Sequence, residues 1–185
     1  MTNTRALAAA VGLVFGLGIA AGAQNNGTPA APGLSDQEFV KEAAMDGHAE
    51  VEIGKLAAMK AATEPVRSLA RRIVLEHGQT NGELKDLASQ KQITLETNLD
   101  AKHQAMIDRF AALSAMAFDR QYVGDMVTAH TDAVALFRRE SQRGEDAEIR
   151  AWAARTLPML ESHLREVQDL QKELESGRVS VKSTQ

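Results

Sequence analysis

Residues 66–88, VRSLARRIVLEHGQTNGELKDLA, decide the fold because their apolar side chains repeat every three or four positions. On a helical wheel at about 100° per residue, these side chains form one stripe with polar residues opposite. The stripe consists of Val66, Leu69, Ala70, Ile73, Leu84, Leu87 and Ala88. His77 falls at its centre, where a leucine would be expected. The stretch therefore predicts a long amphipathic helix with a titratable imidazole on its buried face.

Three further long helices are predicted around this one. Ser35 and Glu38 form a capping box that starts the first helix. Pro65 lies in the first turn of the second helix, and Gly144 follows the last turn of the third. The four predicted ranges are about 35–62, 65–90, 116–143 and 145–176.

The lengths of the connections predict how these helices are arranged. The first and second helices, and the third and fourth, are joined by short turns, so each pair is predicted to form an antiparallel hairpin. Residues 91–115 join the two hairpins and contain one short predicted helix, from about 100 to 112. This is the pattern of an all-α, ferritin-like four-helix bundle with a long crossover between its second and third long helices. A plain up-down bundle with an unstructured connection is the alternative.

The N-terminus has the features of a secretory signal peptide. Arg5 precedes an apolar run over residues 6–20, and small residues precede Gln24. We therefore predict a signal peptide over residues 1–23, cleavage after Ala23 and export to the periplasm. The alternative is that the segment is retained as an N-terminal anchor.

The rest of the chain is predicted to form one domain. A flexible linker is expected at 24–34, the bundle at 35–176 and a disordered tail at 177–185. The chain has no cysteine, which excludes disulfides, thiolate metal sites and cysteine catalysis. Its formal charge is −4, and acids and bases are interleaved, so we expect no nucleic-acid partner. No transmembrane helix is expected in the mature chain.

Histidines recur on the buried faces of three predicted helices, at His77, His130 and His163. Glu50 lies at the edge of the buried face of the first helix. Glu50 and His77 are each about thirteen residues from the first turn and should meet at one level. His130 lies about fourteen residues before the second turn and His163 about eighteen after it. That difference is about one helical turn, or about 5 Å, so the third and fourth helices match less well.

Buried imidazole and carboxylate groups need partners, and two arrangements would supply them. A metal ion would be held by Glu50, His77, His130 and His163. Alternatively, Glu50 would bind a protonated His77, and the other histidines would find backbone carbonyls or water. Histidine-rich coordination suits one Zn²⁺, Cu²⁺ or Ni²⁺ ion. The weaker candidate ligands are His48, Glu52 and Glu76; Asp119 lies at the edge of another buried face.

Other metal chemistry fits the sequence poorly. A di-iron carboxylate centre needs Glu-x-x-His pairs, and the chain contains none. A ferroxidase or di-iron oxygenase is therefore disfavoured, and whether the protein is an enzyme at all stays open. Haem binding through a histidine with Met126 or Met159 would lack the Cys-x-x-Cys-His motif. His103 lies in the polar connection, where we expect no particular role for it.

Several short motifs, in order along the chain, resemble a bacterial family of exported proteins, the domain of unknown function 4142 family. They are FV-x-x-A at 39–43, EVEIGKLA at 50–57, PVRSLA at 65–70, EH at 76–77, FDRQYV at 118–123, His130 and LPMLESHL at 157–164. The family usually has Asp-His in its second helix, whereas this chain has Glu76. The resemblance implies export and a ferritin-like bundle, and its polar positions include Glu50, His77, His130 and His163. It implies no particular activity.

Two functions therefore remain open. The first is an exported helical-bundle protein that binds one metal ion in its interior. The second is a non-catalytic protein of cell-envelope interaction or stress protection, in which the His/Glu cluster only fixes the packing of the helices. An envelope partner or a homo-oligomer is compatible with either function.

Overall fold

The computed structural model describes residues 34–179, which form five helices. They are α1 (Asp36–Lys60), α2 (Glu64–Gln90), α3 (Ala101–Ala112), α4 (Ala115–Arg143) and α5 (Ala147–Glu175). The four long helices and the short crossover helix match the predicted ranges within a few residues. The predicted signal peptide and most of the predicted linker and tail lie outside the described residues. Within residues 34–179, no helix is long and apolar enough to cross a bilayer.

Side chains in the connections determine where the helices start. Ser35 Oγ accepts a hydrogen bond from the amide of Glu38 at 3.3 Å, and Glu38 Oε2 accepts one from the amide of Ser35 at 2.8 Å. This is the predicted capping box. Asp100 caps α3 by accepting from the amide of His103 at 2.8 Å. Asp146 caps α5 by accepting from the amides of its first turn.

Two sets of hydrogen bonds between chain turns and helix ends define the topology. At one end of the bundle, Asp119 in the first turns of α4 accepts hydrogen bonds from the amides of Ala62 and Thr63, at 2.7 and 2.9 Å. At the other end, Asp36 of α1 accepts from the amides of Glu145 and Asp146, in the turn after α4. Thus α2 and α4 both begin at the same end. The connection between them must run the length of the bundle, and α3 lies within it.

The interior consists of two apolar clusters with a polar layer between them. One cluster, near the α1–α2 turn, includes Ile53, Ile73, Met126 and Val167. The other, near the α4–α5 turn, includes Ala43, Leu84, Val134 and Leu160. Each long helix contributes to both clusters. Each long helix also carries one buried polar residue, in sequence between its side chains in one cluster and those in the other: Glu50 on α1, His77 on α2, His130 on α4 and His163 on α5. The polar layer therefore crosses the bundle near its middle.

Helix α1 packs closely on α2 through two glycines. A Cβ added at Gly47 would lie 2.3 Å from Oδ1 of Asn81, and one at Gly54 would lie 2.8 Å from a methyl group of Val74. Both glycines lie on the buried face of α1. However, Glu50, expected at the edge of that face, is only 8% exposed. The buried face extends further around α1 than predicted because α4 packs on this helix as well as α2.

Candidate metal centre

The three interior histidines meet in the polar layer. His77, His130 and His163 are 4%, 0% and 1% exposed, and they come from α2, α4 and α5. Nδ1 of His163 lies 3.3 Å from Nε2 of His77 and 3.3 Å from Nε2 of His130. All three nitrogens lie within 4.8 Å of one another. One nitrogen from each ring therefore points to a common centre.

The second nitrogen of each ring faces a hydrogen-bond acceptor. Nδ1 of His77 lies 2.8 Å from Glu50 Oε2, and Nε2 of His163 lies 2.6 Å from Glu76 Oε2. Nδ1 of His130 lies 3.1 Å from the backbone carbonyl of Met126. Carboxylate and carbonyl oxygens only accept, so each of these outer nitrogens carries a proton and donates it. In a neutral imidazole, the inner nitrogen is then an unprotonated acceptor.

A cation between the inner nitrogens would give each of them a partner. With all three rings neutral, no hydrogen is available for either 3.3 Å contact. A protonated His77 would donate to His163 and leave Nε2 of His130 without a donor among the described residues. A proton on His163 would serve both contacts. However, burial and the neighbouring His77 and His130 lower the pKa of His163 to about 4. The lowered pKa of His163 therefore disfavours the one protonation state that would serve both contacts.

The spacing of the inner nitrogens fits a bound metal ion. Two imidazole nitrogens at about 2.0–2.1 Å from a tetrahedral metal lie about 3.3–3.4 Å apart. Two of the three separations are 3.3 Å, and all three lie within 4.8 Å. A ligating histidine usually donates its other N–H to a carboxylate or a backbone carbonyl, as all three do here. The donor set of three imidazoles suits Zn²⁺, Cu²⁺ or Ni²⁺, as predicted from the sequence.

The charges of the layer follow from burial and proximity. Burial raises the pKa of Glu50, but His77 and His130 more than offset this and lower it to about 2. Burial lowers the pKa of His77, yet the Glu50 carboxylate reverses the effect and raises it above its usual value. Burial lowers the pKa of His130. Without a metal, the layer therefore holds an ion pair of Glu50 and His77 beside two neutral imidazoles.

The structure brings together five of the seven candidate residues. The predicted contact between Glu50 and His77 is confirmed, and Glu76 joins them through His163. Glu50 contacts the outer nitrogen of His77; its role as a direct ligand stays a prediction. Glu52 forms an ion pair with Lys55 at 2.7 Å, and the half-buried His48 is not part of the cluster.

Two further polar residues lie outside the histidine cluster. Asp119, which the sequence places at the edge of a buried face, accepts three hydrogen bonds from Ala62 and Thr63. His103, for which no particular role was expected, is 6% exposed and lies between Asp100 and Asp46. A signal for its burial was present in the sequence, because His103 lies three and seven residues before Met106 and Phe110 on the apolar stripe of α3.

The expected mismatch between α4 and α5 does not keep His130 and His163 apart. Helical side chains lean toward the N-terminus of their own helix. In the antiparallel pair, His130 therefore leans away from the α4–α5 turn and His163 leans toward it. Both orientations reduce the one-turn difference in level. Nε2 of His130 therefore lies 3.3 Å from Nδ1 of His163.

The fold and this layer define the class: an all-α bundle of two antiparallel hairpins with a buried histidine cluster at its middle. The family described as domain of unknown function (DUF4142) matches residues 20–170. The chain therefore belongs to this family, in agreement with the resemblance of its motifs. A sequence comparison with curated proteins found no match.

Two solved structures have the same fold. One is a DUF305 protein from Streptomyces coelicolor, with a TM-score of 0.64 and 16% identity, covering 76% of this chain and 94% of its own. The other is CopM in its Cu(II)-bound form, with a TM-score of 0.65 and 18% identity, covering 77% of this chain and 99% of its own. At these identities the likeness concerns the fold alone.

Proposed function

We propose that this protein is an exported helical-bundle protein that binds one divalent transition-metal ion through His77, His130 and His163. The observation that carries this proposal is the set of three inner nitrogens. Each belongs to a ring whose outer nitrogen already donates to an acceptor, and two of the separations equal those in a tetrahedral site.

In this proposal the carboxylates orient the ligands and balance the charge. Glu50 holds the ring of His77, and Glu76 holds the ring of His163. A third acceptor, the carbonyl of Met126, holds His130. Burying a divalent ion is costly unless nearby charges compensate it, and two carboxylates supply two negative charges. Cu²⁺ is the first metal to test, since CopM has this fold and has been solved in a Cu(II)-bound form.

The test is the metal content of purified protein. Residues 24–185 without a histidine tag are incubated with Cu²⁺ or Zn²⁺, desalted and measured by elemental analysis. We expect one ion per chain in the wild type and none when His77, His130 and His163 are all replaced by glutamine. His48→Gln is the matched control and should keep the ion. If the wild type retains no ion, the metal function is wrong.

The second candidate is a structural role in a protein of envelope interaction or stress protection. It is favoured by the contact between Glu50 and His77, which forms a complete ion pair without a metal. In that case the triple variant should lose stability with or without metal, because the ion pair fixes the packing of α1 on α2.

Export is proposed from the N-terminal segment. Secretion should remove residues 1–23, so N-terminal sequencing of the periplasmic protein should begin at Gln24. A product that begins at Met1 or Thr2 and stays with the membrane would support a retained anchor.

A further inference from the structure

A cavity of about 270 Å³ runs from the protein surface to the histidine layer, and all five helices contribute to its lining. Glu50 and His77 lie at its inner end, where they are 8% and 4% exposed. Its outer end is marked by residues open to solvent: Asp46, with 49% of its side chain exposed, and the exposed Lys102 and Asp132. His130 and His163 are not among the lining residues. The cavity therefore reaches the layer on the side of Glu50 and His77.

His103 occupies the outer part of this cavity with a geometry that repeats that of the inner histidines. Its Nδ1 lies 2.8 Å from Oδ1 of Asp100, to which it donates a hydrogen bond. Its Nε2 lies 3.2 Å from Oδ1 of Asp46. If the ring is neutral, an unprotonated nitrogen and a carboxylate oxygen face each other, and a cation is needed between them. A proton on Nε2 or a divalent ion would satisfy both.

The distance between this pair and the inner layer is short. Asp46 and Glu50 are four residues apart on α1, so they lie on one face and about 6 Å apart along the axis. One imidazole and one carboxylate are suitable ligands for Zn²⁺, Cu²⁺ or Ni²⁺. However, the outer pair provides two protein ligands, whereas the inner layer provides three imidazoles. The outer pair is therefore expected to hold an ion more weakly than the inner layer does.

We propose that divalent transition-metal ions reach the histidine layer through this cavity, and that His103 and Asp46 form its outer, transient binding site. This inference rests on the proposed metal function. An ion binds first to Nε2 of His103 and to the Asp46 carboxylate. It then moves about one helical turn inward, to the layer at Glu50 and His77.

Trp152 supplies the measurement. It is the only tryptophan in the chain, and it lines the same cavity. Arrival of Cu²⁺ should quench its fluorescence, and stopped-flow mixing of residues 24–185 with CuSO₄ then gives the uptake rate. Mixing loaded protein with a chelator gives the release rate.

Asp46→Asn and His103→Gln are the test variants. We expect each to slow uptake by about three- to ten-fold, because the negative, ligand-bearing entrance no longer concentrates the ion. The final stoichiometry should stay at that of the wild type. Because the inner ligands are intact, the equilibrium constant is unchanged and release should slow by the same factor. The difference in uptake rate between Asp46→Asn and the wild type should shrink as ionic strength rises.

Glu52→Gln is the matched control, since it removes one negative charge from α1 at a residue that pairs with Lys55 and does not line the cavity. It should leave both rates unchanged. The proposal is overturned if both test variants take up Cu²⁺ at the wild-type rate or faster, or if Glu52→Gln slows uptake equally. A lower melting temperature of His103→Gln would show that this substitution loosens α3. In that case the uptake rate of Asp46→Asn alone tests the proposal. A wild type that binds no ion refutes the metal function itself, whereas binding with equal rates refutes only the route.

Discussion

Replacing His163 by leucine separates the two roles that the polar layer is able to play. Without metal, His163 is neutral because burial lowers its pKa to about 4, so no charge pair is broken by the substitution. The ion pair of Glu50 and His77 stays intact, and the side chain of Glu76 is 36% exposed and becomes hydrated. Leucine gains buried apolar surface, while the hydrogen bond to His77 is lost. These effects are similar in size, so the free energy of unfolding should stay within about 1 kcal/mol of wild type.

With metal, the two proteins should differ clearly. An ion that binds only the folded state stabilises it by about 2.7 kcal/mol at a free concentration one hundred times its Kd. Unfolding entropy near the midpoint is about 2 cal/mol/K per residue, or about 0.3 kcal/mol/K for a chain segment of this length. The wild type should therefore gain about 9 °C in melting temperature. His163→Leu should gain much less, because one of three ligands is missing.

Differential scanning calorimetry of both proteins, with Cu²⁺ and with chelator, makes the comparison. His48→Gln should behave as the wild type in both conditions, since His48 lies outside the cluster. An equal rise in wild type and His163→Leu would show that the ion binds elsewhere. A loss of several kcal/mol in metal-free His163→Leu would show instead that the histidine contacts themselves stabilise the fold.

Three further outcomes follow from the structure. Asp119→Ala should destabilise the protein by about 2–4 kcal/mol in urea unfolding, because the buried amides of Ala62 and Thr63 lose their acceptor; Asp119→Asn should restore part of this. Burial and the nearby Asp36 raise the pKa of Glu140 from about 4.5 to about 7, so the folded state binds the extra proton. The stability that this proton contributes is complete below about pH 4.5 and is lost as pH rises through 7. Glu140→Gln should therefore raise the melting temperature at pH 8 and leave it nearly unchanged at pH 4.5. An equal effect of the substitution at both pH values would contradict this. Metal affinity should fall with decreasing pH from 7 to 5, measured by competition with a chelator, because protons compete for the imidazoles.

Local signals in the sequence were enough to predict the fold. The stripe around His77, the capping box at Ser35 and the turn residues before Pro65 and at Gly144 each act within a few residues. The long crossover followed from the length of its connection alone. The width of the buried face on α1 was not predictable in this way. The width of this face depends on which helices pack beside α1, and local sequence patterns do not give that arrangement. Glu50 was therefore expected at the edge of the face.

The site was predictable in its members but not in its geometry. Helical period and distance from a turn are enough to place His77 beside Glu50. They do not say which ring nitrogen faces the carboxylate, because that depends on the rotamer of each side chain. For the same reason, Glu76 was only a weaker candidate, and His130 and His163 were expected to match less well in level. The apolar stripe of α3 signals that His103 is buried, but its contact with Asp46 depends on where α3 lies against α1, which is a long-range property of the chain.

The balance of charge in the layer distinguishes a divalent ion from a proton. Two carboxylates, Glu50 and Glu76, contact the outer nitrogens of His77 and His163. One proton on His77 compensates one of these charges, and the lowered pKa values of His130 and His163 oppose a second proton. A divalent ion would compensate both carboxylates and give each of the three inner nitrogens a partner. If only the packing of the helices mattered, apolar residues of similar size would serve at these positions without the cost of burying charge. This charge balance supports the proposal that the three imidazoles and two carboxylates hold a divalent ion.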